Sequence, residues 1–241
     1  MSLFTVKSNG KRWVSLFSDF TGLFFPEYCL GCSSGLVKGE EILCTRCIIE
    51  LPRTGYPFLN DNPVKEKFAG RLPLKYAFAF LKFRKTGIVQ HLLHQLKYNN
   101  HPEVGKRLGM FFGKEMKDLG LDKEFDMIVP MPLHHSRQRK RGYNQSTMFG
   151  EGLKLSLERP CYDNIVTRPV NTSTQTQKNK AERWENVKHA FHVQDSKCTQ
   201  GQRILLVDDI ITTGASLEAC GQELLHHGCK ELSVVCIAEA Q

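Results

Sequence analysis

Residues 203–216, RILLVDDIITTGAS, constrain this chain more than any other stretch. A short, unbroken aliphatic run reads as a strand buried on both faces, as in a parallel sheet. It meets two adjacent carboxylates, Asp208 and Asp209, and continues through two isoleucines into Thr212, Thr213, Gly214, Ala215 and Ser216. SLEACGQELLHHG then reads as a helix. In open parallel sheets, ligands bind outside the carboxyl ends of the strands. A helix N-terminus placed there offers unpaired N–H groups and the positive end of its dipole, which together attract an anion. Gly214 allows close backbone approach and three hydroxyls add donors, so a phosphate suits this turn. The carboxylates would repel that phosphate unless they face another part of the same ligand. A vicinal diol fits, because a carboxylate accepts both hydroxyl protons, directly or through a divalent cation. Phosphate and diol a few bonds apart describe a ribose 5-phosphate.

The flanking sequence alternates in the same way. FDMIVP, NIVT and ELSVVCIAEA read as strands, and QSTMFGEGLKLSL as a helix. LPLKYAFAFLKF, 72–83, reads as a strand or hairpin arm, followed by two helices, GIVQHLLHQLKY and VGKRLGMFFGKEMKDLG, the second stopping near Gly120. Apolar strands interleaved with helices predict an α/β domain: a parallel sheet with helices on both faces. Residues 61–241 are assigned to it, with 125–241 as the core sheet and 72–120 as a hood-like arm with its helices. His91 and His94, one turn apart, lack a third ligand and read as surface residues.

Four cysteines near the start predict a separate module. CLGC (Cys29 and Cys32) and CTRC (Cys44 and Cys47) can each point two thiolates at one centre. Four soft thiolates with no open position suit a structural zinc ion. A segment this short buries too little apolar surface to hold itself together, and zinc binding would offset that deficit. A zinc ribbon with an amphipathic helix before it is therefore expected within residues 1–60. The helix is drawn from Trp13, Val14, Leu16, Phe17, Phe20, Leu23 and Phe24. The proline-containing stretch 51–64 then reads as a linker.

The remaining bulk properties narrow the partners. A net charge of +8 favours anionic ligands without choosing among nucleotides, phosphosugars, nucleic acid and acidic membranes. Nine cysteines without a secretion signal predict a reducing, cytoplasmic setting, and no apolar run is long enough to span a bilayer. Gly-x-Gly-x-x-Gly after a strand, Gly-x-x-x-x-Gly-Lys-Ser/Thr and Gly-x-Ser-x-Gly are all missing, against dinucleotide binding, common nucleotide hydrolysis and a serine-hydrolase elbow.

ILLVDDIITTGAS resembles the binding motif for phosphoribosyl pyrophosphate (PRPP) of type I phosphoribosyltransferases. More narrowly, the chain is similar to the ComF family, associated with DNA uptake in naturally competent bacteria. The likeness takes in the tetracysteine start, the QLKY helix, VPMPLHHSRQRKRGYNQS, TQTQKNKAERWENVKHAF and the acidic motif. It implies that Asp208 and Asp209 hold the ribose hydroxyls as the catalytic pair and that Thr212 to Ser216 hold the 5-phosphate. It further implies that the loop PLHHSRQRKRGYNQ binds pyrophosphate with Mg2+, through Arg137, Arg141, Gly142, Tyr143, Asn144 and Gln145. Arg139 and Lys140 add charge there, and Asn144 is placed to cap the next helix. The polar segment 168–186 corresponds to a mobile loop whose contacts would be Arg168, Gln175, Arg183 and Asn186. The implied activity is phosphoribosyl transfer with release of pyrophosphate, with no acceptor identifiable. The alternative is a non-catalytic factor of the uptake machinery that handles single-stranded DNA. Such a factor would have only two tryptophans and scattered tyrosines for base stacking.

Overall fold

The computed structural model describes residues 27–59, 61–169 and 190–240. The amphipathic helix expected over 13–24 lies outside them. The chain divides into two compact units, Met1–Glu50 and Leu51–Gln241.

In the first unit, two knuckles carry the cysteines. Cys29 N–H donates to Ser34 O and Ser33 N–H returns to Cys29 O, closing the first turn with Ser33 in the left-handed region. Leu30 N–H reaches Ile42 O, which draws the second knuckle alongside. Glu40 accepts from the amides of Val37 and Thr45, capping helix α1, Thr45–Glu50, whose first turn supplies Cys47.

The second unit is built on a four-stranded sheet in the order β1-β6-β5-β2, parallel throughout. Its strands are β1, Ala77–Phe83; β2, Met127–Pro130; β5, Arg203–Ile211; and β6, Glu231–Ala240. Ile204 to Val207 and Val234 to Ala238 are buried completely. Each large aliphatic side chain so buried contributes roughly 1.5–3 kcal/mol. The aromatic stretch read as a strand or hairpin arm is a strand, and it lies in the main sheet, with Ala77 to Leu81 buried in register against β6. NIVT and HAFHV depart from the core as well. Val166–Thr167 (β3) and His192–Val193 (β4) pair with each other, forming an antiparallel ribbon.

Both sheet edges are covered, as exposed strand edges otherwise invite further pairing. Thr54 N–H donates to Phe80 O and Lys82 N–H to Pro52 O along β1. Residues 160–162 pair with Ile128 on β2. The stretch 51–59 therefore packs with the larger unit, where the sequence had placed a linker and the end of the zinc module. Tyr56 completes this join: its hydroxyl donates to buried Glu239 at 2.7 Å, and Lys67 bridges the other carboxylate oxygen at 3.0 Å.

The helices are α2, Pro63–Glu66; α3, Ile88–Tyr98; α4, Pro102–Asp118; α5, His135–Arg141; α6, Gln145–Leu157; and α7, Ala215–His226. Gly150 of α6 packs on Val207, and Gly221 of α7 on Leu232, the register partner of Ile204. Side chains alternate along a strand, so residues 204 and 207 face opposite ways and the helices cover both faces. Helices α4 and α6 cross backbone to backbone. A Cβ at Gly109 would strike the Phe149 carbonyl, and one at Gly152 the Lys106 carbonyl. Among the described residues, no helix is long and apolar enough to cross a membrane.

Candidate functional site

The acidic pair stands where the sheet changes width. β2 ends at Pro130, opposite Val207, whereas β5 continues beside β6 to Ile211. Asp208 and Asp209 are thus inside the strand, at the first positions beyond the β2 edge, rather than after the strand's end. Asp208 Oδ1 accepts the Ser146 hydroxyl at 2.9 Å and the Asp209 amide at 2.8 Å. Asp209 Oδ2 takes the Lys97 ammonium at 2.7 Å. Asp208 Oδ2 and Asp209 Oδ1 have no hydrogen-bonding partner among the described residues, leaving one oxygen on each carboxylate for a ligand. Burial, and then the charge of Asp209, push Asp208 up to about 7, against the help of its hydrogen bonds and Lys97. A site so rich in negative charge fits a ligand bringing hydroxyl protons or a divalent cation such as Mg2+.

The turn after β5 leads directly into α7. Gly214 adopts φ 79°, a left-handed conformation that side chains resist, and a Cβ there would lie 2.9 Å from the Phe68 ring. Thr212 and Thr213 are exposed, and α7 starts at Ala215 without a side-chain cap at Gly214. Its first N–H groups and the hydroxyls of Thr212, Thr213 and Ser216 therefore occupy one turn, next to the carboxylates in the chain. Arg71 braces this turn from the protein side, donating to Thr213 O at 3.0 Å and bridging buried Glu218 at 3.1 Å.

The presumed pyrophosphate loop proves to contain a helix. Residues 135–141 form α5, with His134 Nδ1 accepting from Ser136 N–H at its start and Gly142 at φ 80° ending it. Arg and Gln are good helix formers, and Gly142 supplies the left-handed stop that releases the chain into the next turn. Ser136 to Lys140 are exposed, so Arg137, Arg139 and Lys140 present charge to solvent. Arg141 donates to Gln145 at 2.7 Å, and Asn144 caps α6 by accepting from Ser146 N–H while donating to Met131 O. Tyr143 donates its hydroxyl to Leu96 O.

Arg168, just after β3, is the one of the four expected mobile-loop contacts that lies among the described residues. Its guanidinium lies 5.2 Å from the centre of the Phe191 ring. Burial and then the nearby Arg137 charge hold it below the usual arginine range, while Asp208 opposes the shift. Arg137, Arg168 and Asp208 are thus electrostatic neighbours. Gln175, Arg183 and Asn186 lie outside the described residues. Four contributors had no role in the sequence reading: Lys97, Ser146, Arg71 and Phe68. Ser146 and Lys97 stood inside quoted motifs, but nothing local to either motif pointed at the aspartates. A cavity of about 300 Å³ opens elsewhere, beside α2, and the aspartates do not line it.

The four cysteines meet as expected. Their sulfurs lie within 4.8 Å of one another, none of them in a disulfide, and Cys32 and Cys44 are 3.7 Å apart. Backbone amides of Gly31 and Cys44 donate to Cys29 Sγ, and that of Cys47 to Cys44 Sγ. Amides aimed at sulfur stabilise thiolates, so this cluster can hold a metal ion structurally.

This fold and site define a protein with a phosphoribosyltransferase-like α/β domain, and residues 153–241 match the family model described as phosphoribosyl transferase domain. Competence protein F of Haemophilus influenzae is 33% identical over 228 residues, covering 90% of this chain and 99% of that protein. The chain belongs to the competence protein F family. Competence protein ComFC of Bacillus subtilis is 25% identical over 201 residues, 83% of this chain and 78% of that protein. The DNA utilization protein YhgH of Escherichia coli is 32% identical over 150 residues, 61% of this chain and 65% of that protein. Among solved structures, the glutamine PRPP amidotransferase of B. subtilis complexed with ADP and GMP overlaps with a TM-score of 0.41 at 18% identity, over 60% of this chain and 30% of that one. Adenine phosphoribosyltransferase of Saccharomyces cerevisiae overlaps with a TM-score of 0.38 at 22% identity, over 57% of this chain and 69% of that one.

Proposed function

We propose that the larger unit binds PRPP, or a related ribose 5-phosphate, and transfers the phosphoribosyl group with release of pyrophosphate. One observation carries this reading: two carboxylates with open oxygens adjoin a glycine-dependent turn whose hydroxyls and amides suit a phosphate. Asp208 and Asp209 hold the ribose hydroxyls, and Thr212 to Ser216 hold the 5-phosphate. Arg137, Arg141, Gly142, Tyr143, Asn144 and Gln145 form the pyrophosphate side, with Arg168 near it and Gln175, Arg183 and Asn186 supplied by the loop that follows. Mg2+, bound with the ligand, would neutralise pyrophosphate oxygens. Breaking the bond at ribose C1 builds positive charge on the ring and negative charge on the leaving group. The carboxylates orient the first and the guanidinium groups stabilise the second. We assign the tetracysteine site to a structural zinc ion and place the thiol-rich chain in the reducing cytoplasm, with DNA uptake as its setting. Affinity for PRPP with Mg2+, measured by calorimetry on the wild type and on Asp208→Asn/Asp209→Asn, tests the assignment; equal affinities defeat it.

A second reading is favoured by the exposed basic face of α5. There Arg137, Arg139 and Lys140 would contact the backbone of single-stranded DNA within the uptake machinery, without turnover. Affinity for single-stranded DNA at two salt concentrations tests it, since phosphate contacts release counterions and weaken as salt rises.

A further inference from the structure

The last turn of α3 reaches the site through three consecutive residues. Leu96 O accepts the Tyr143 hydroxyl at 2.5 Å, Lys97 Nζ meets Asp209 Oδ2 at 2.7 Å, and Tyr98 lies under the Arg141 guanidinium, 5.6 Å from its ring centre. Two of the partners belong to the turn beside Asn144, and the third to the acidic pair. This fixes the end of α3 between them, so the Lys97 backbone is held while its four-carbon stem stays flexible.

The ion pair is not a surface accident. The side chains of Lys97 and Asp209 are 18% and 16% exposed, so both charges are mostly withdrawn from water and weakly screened. The pair also leaves the Asp208 carboxyl without an ion-pair partner among the described residues. A divalent ion bound at Asp209 Oδ2 would meet the ammonium at close range, and two cations cannot share that oxygen without strong repulsion.

We propose that Lys97 is the resident counter-ion of Asp209. It occupies Asp209 Oδ2, an oxygen that a divalent cation would otherwise reach, and gives it up when a cation-bearing ligand arrives. This rests on the phosphoribosyl-binding reading of the same carboxylates. Once displaced, the ammonium can turn to the ligand's anionic oxygens, because its stem needs only rotamer changes. Lys97 is therefore a positioning residue that makes metal binding at the acidic pair conditional on ligand.

The test uses the zinc-loaded full chain and Mn2+ alone, followed by spin resonance or calorimetry. Lys97→Met should tighten Mn2+ binding about ten-fold by removing the competing charge. Lys97→Arg, which keeps the charge, should stay near wild type. Adding Asp209→Asn to Lys97→Met should abolish the gain. Lys97→Gln is the second variant should Lys97→Met fail to fold, with the same gain expected. Unchanged or weaker Mn2+ affinity in a folded Lys97→Met or Lys97→Gln protein overturns the proposal. A parallel titration with PRPP and Mg2+ separates the two claims. Absence of PRPP binding in the wild type removes the phosphoribosyl reading, whereas PRPP binding with Mn2+ affinity indifferent to Lys97 removes this one.

Discussion

The Ser146 hydroxyl donates to Asp208 Oδ1 at 2.9 Å, tying the first turn of α6 to the acidic stretch of β5. The residue that Asn144 caps is thus also the one that orients a half-buried carboxylate. The turn that starts α6 and the acidic pair of β5 are positioned by one contact, although the sequence keeps them well apart.

Asp208 gives the protein a distinctive dependence on pH. Its value is raised in the folded state, from 3.8 to about 7, so the native protein holds a proton that the unfolded chain has released. Stability from this group is fully present below about pH 4 and is lost as pH rises towards 7. The slope is at most about 1.4 kcal/mol per pH unit. Asp208→Asn should remove that slope, so its melting temperature should gain on the wild type between pH 5 and pH 8. Parallel melting curves across this range would refute the burial argument.

Gly214→Ala should damage the phosphate turn. The substitution forces a side chain into a left-handed backbone and against Phe68, and strain of this kind costs on the order of 1–3 kcal/mol. Thermal unfolding should show the loss, with PRPP affinity falling by at least about ten-fold. Wild-type affinity in this variant would mean that the turn does not hold the ligand.

Helix packing makes a test remote from the site. Gly109→Ala should destabilise the protein by about 1–3 kcal/mol through overpacking, because the added methyl meets the backbone of α6 rather than a movable side chain. Urea denaturation measures it. A neutral result would show that α4 and α6 can separate without loss.

Metal removal should act on one unit. Stripping the proposed zinc ion with a chelator should abolish amide-exchange protection across residues 27–50, where few apolar side chains are buried. Protection should persist in β5 and β6. Loss of protection throughout would show that the larger unit depends on the metal.

How far the sequence could be read depends on the range of the forces involved. The strand, acid pair and glycine turn of 203–216 are written in local chemistry: aliphatic continuity, a glycine needing positive φ and hydroxyls at a helix start. The cysteine knuckles are local in the same sense. Strand order is different. Whether 77–83 makes an arm or a sheet strand depends on how its side chains fit β6, which its own composition does not encode. HSRQRKR reads as loop by its charge although arginine and glutamine favour helix, and NIVT reads as a core strand although its Val166–Thr167 pairs with His192–Val193 outside the main sheet. Gly109 and Gly152 matter only to each other's helix. Lys97 becomes informative only once α3 is packed against Asp209, a relationship no spacing rule expresses.

The central claim is that Asp208 and Asp209 hold the pentose of a phosphoribosyl ligand. The most direct measurement is calorimetric titration of the zinc-loaded protein with PRPP and Mg2+, wild type beside Asp208→Asn/Asp209→Asn. Each lost charged hydrogen bond is worth about 1.5–3 kcal/mol, so the double variant should bind at least about a hundred-fold more weakly. A folded double variant that binds PRPP as tightly as the wild type would contradict the account.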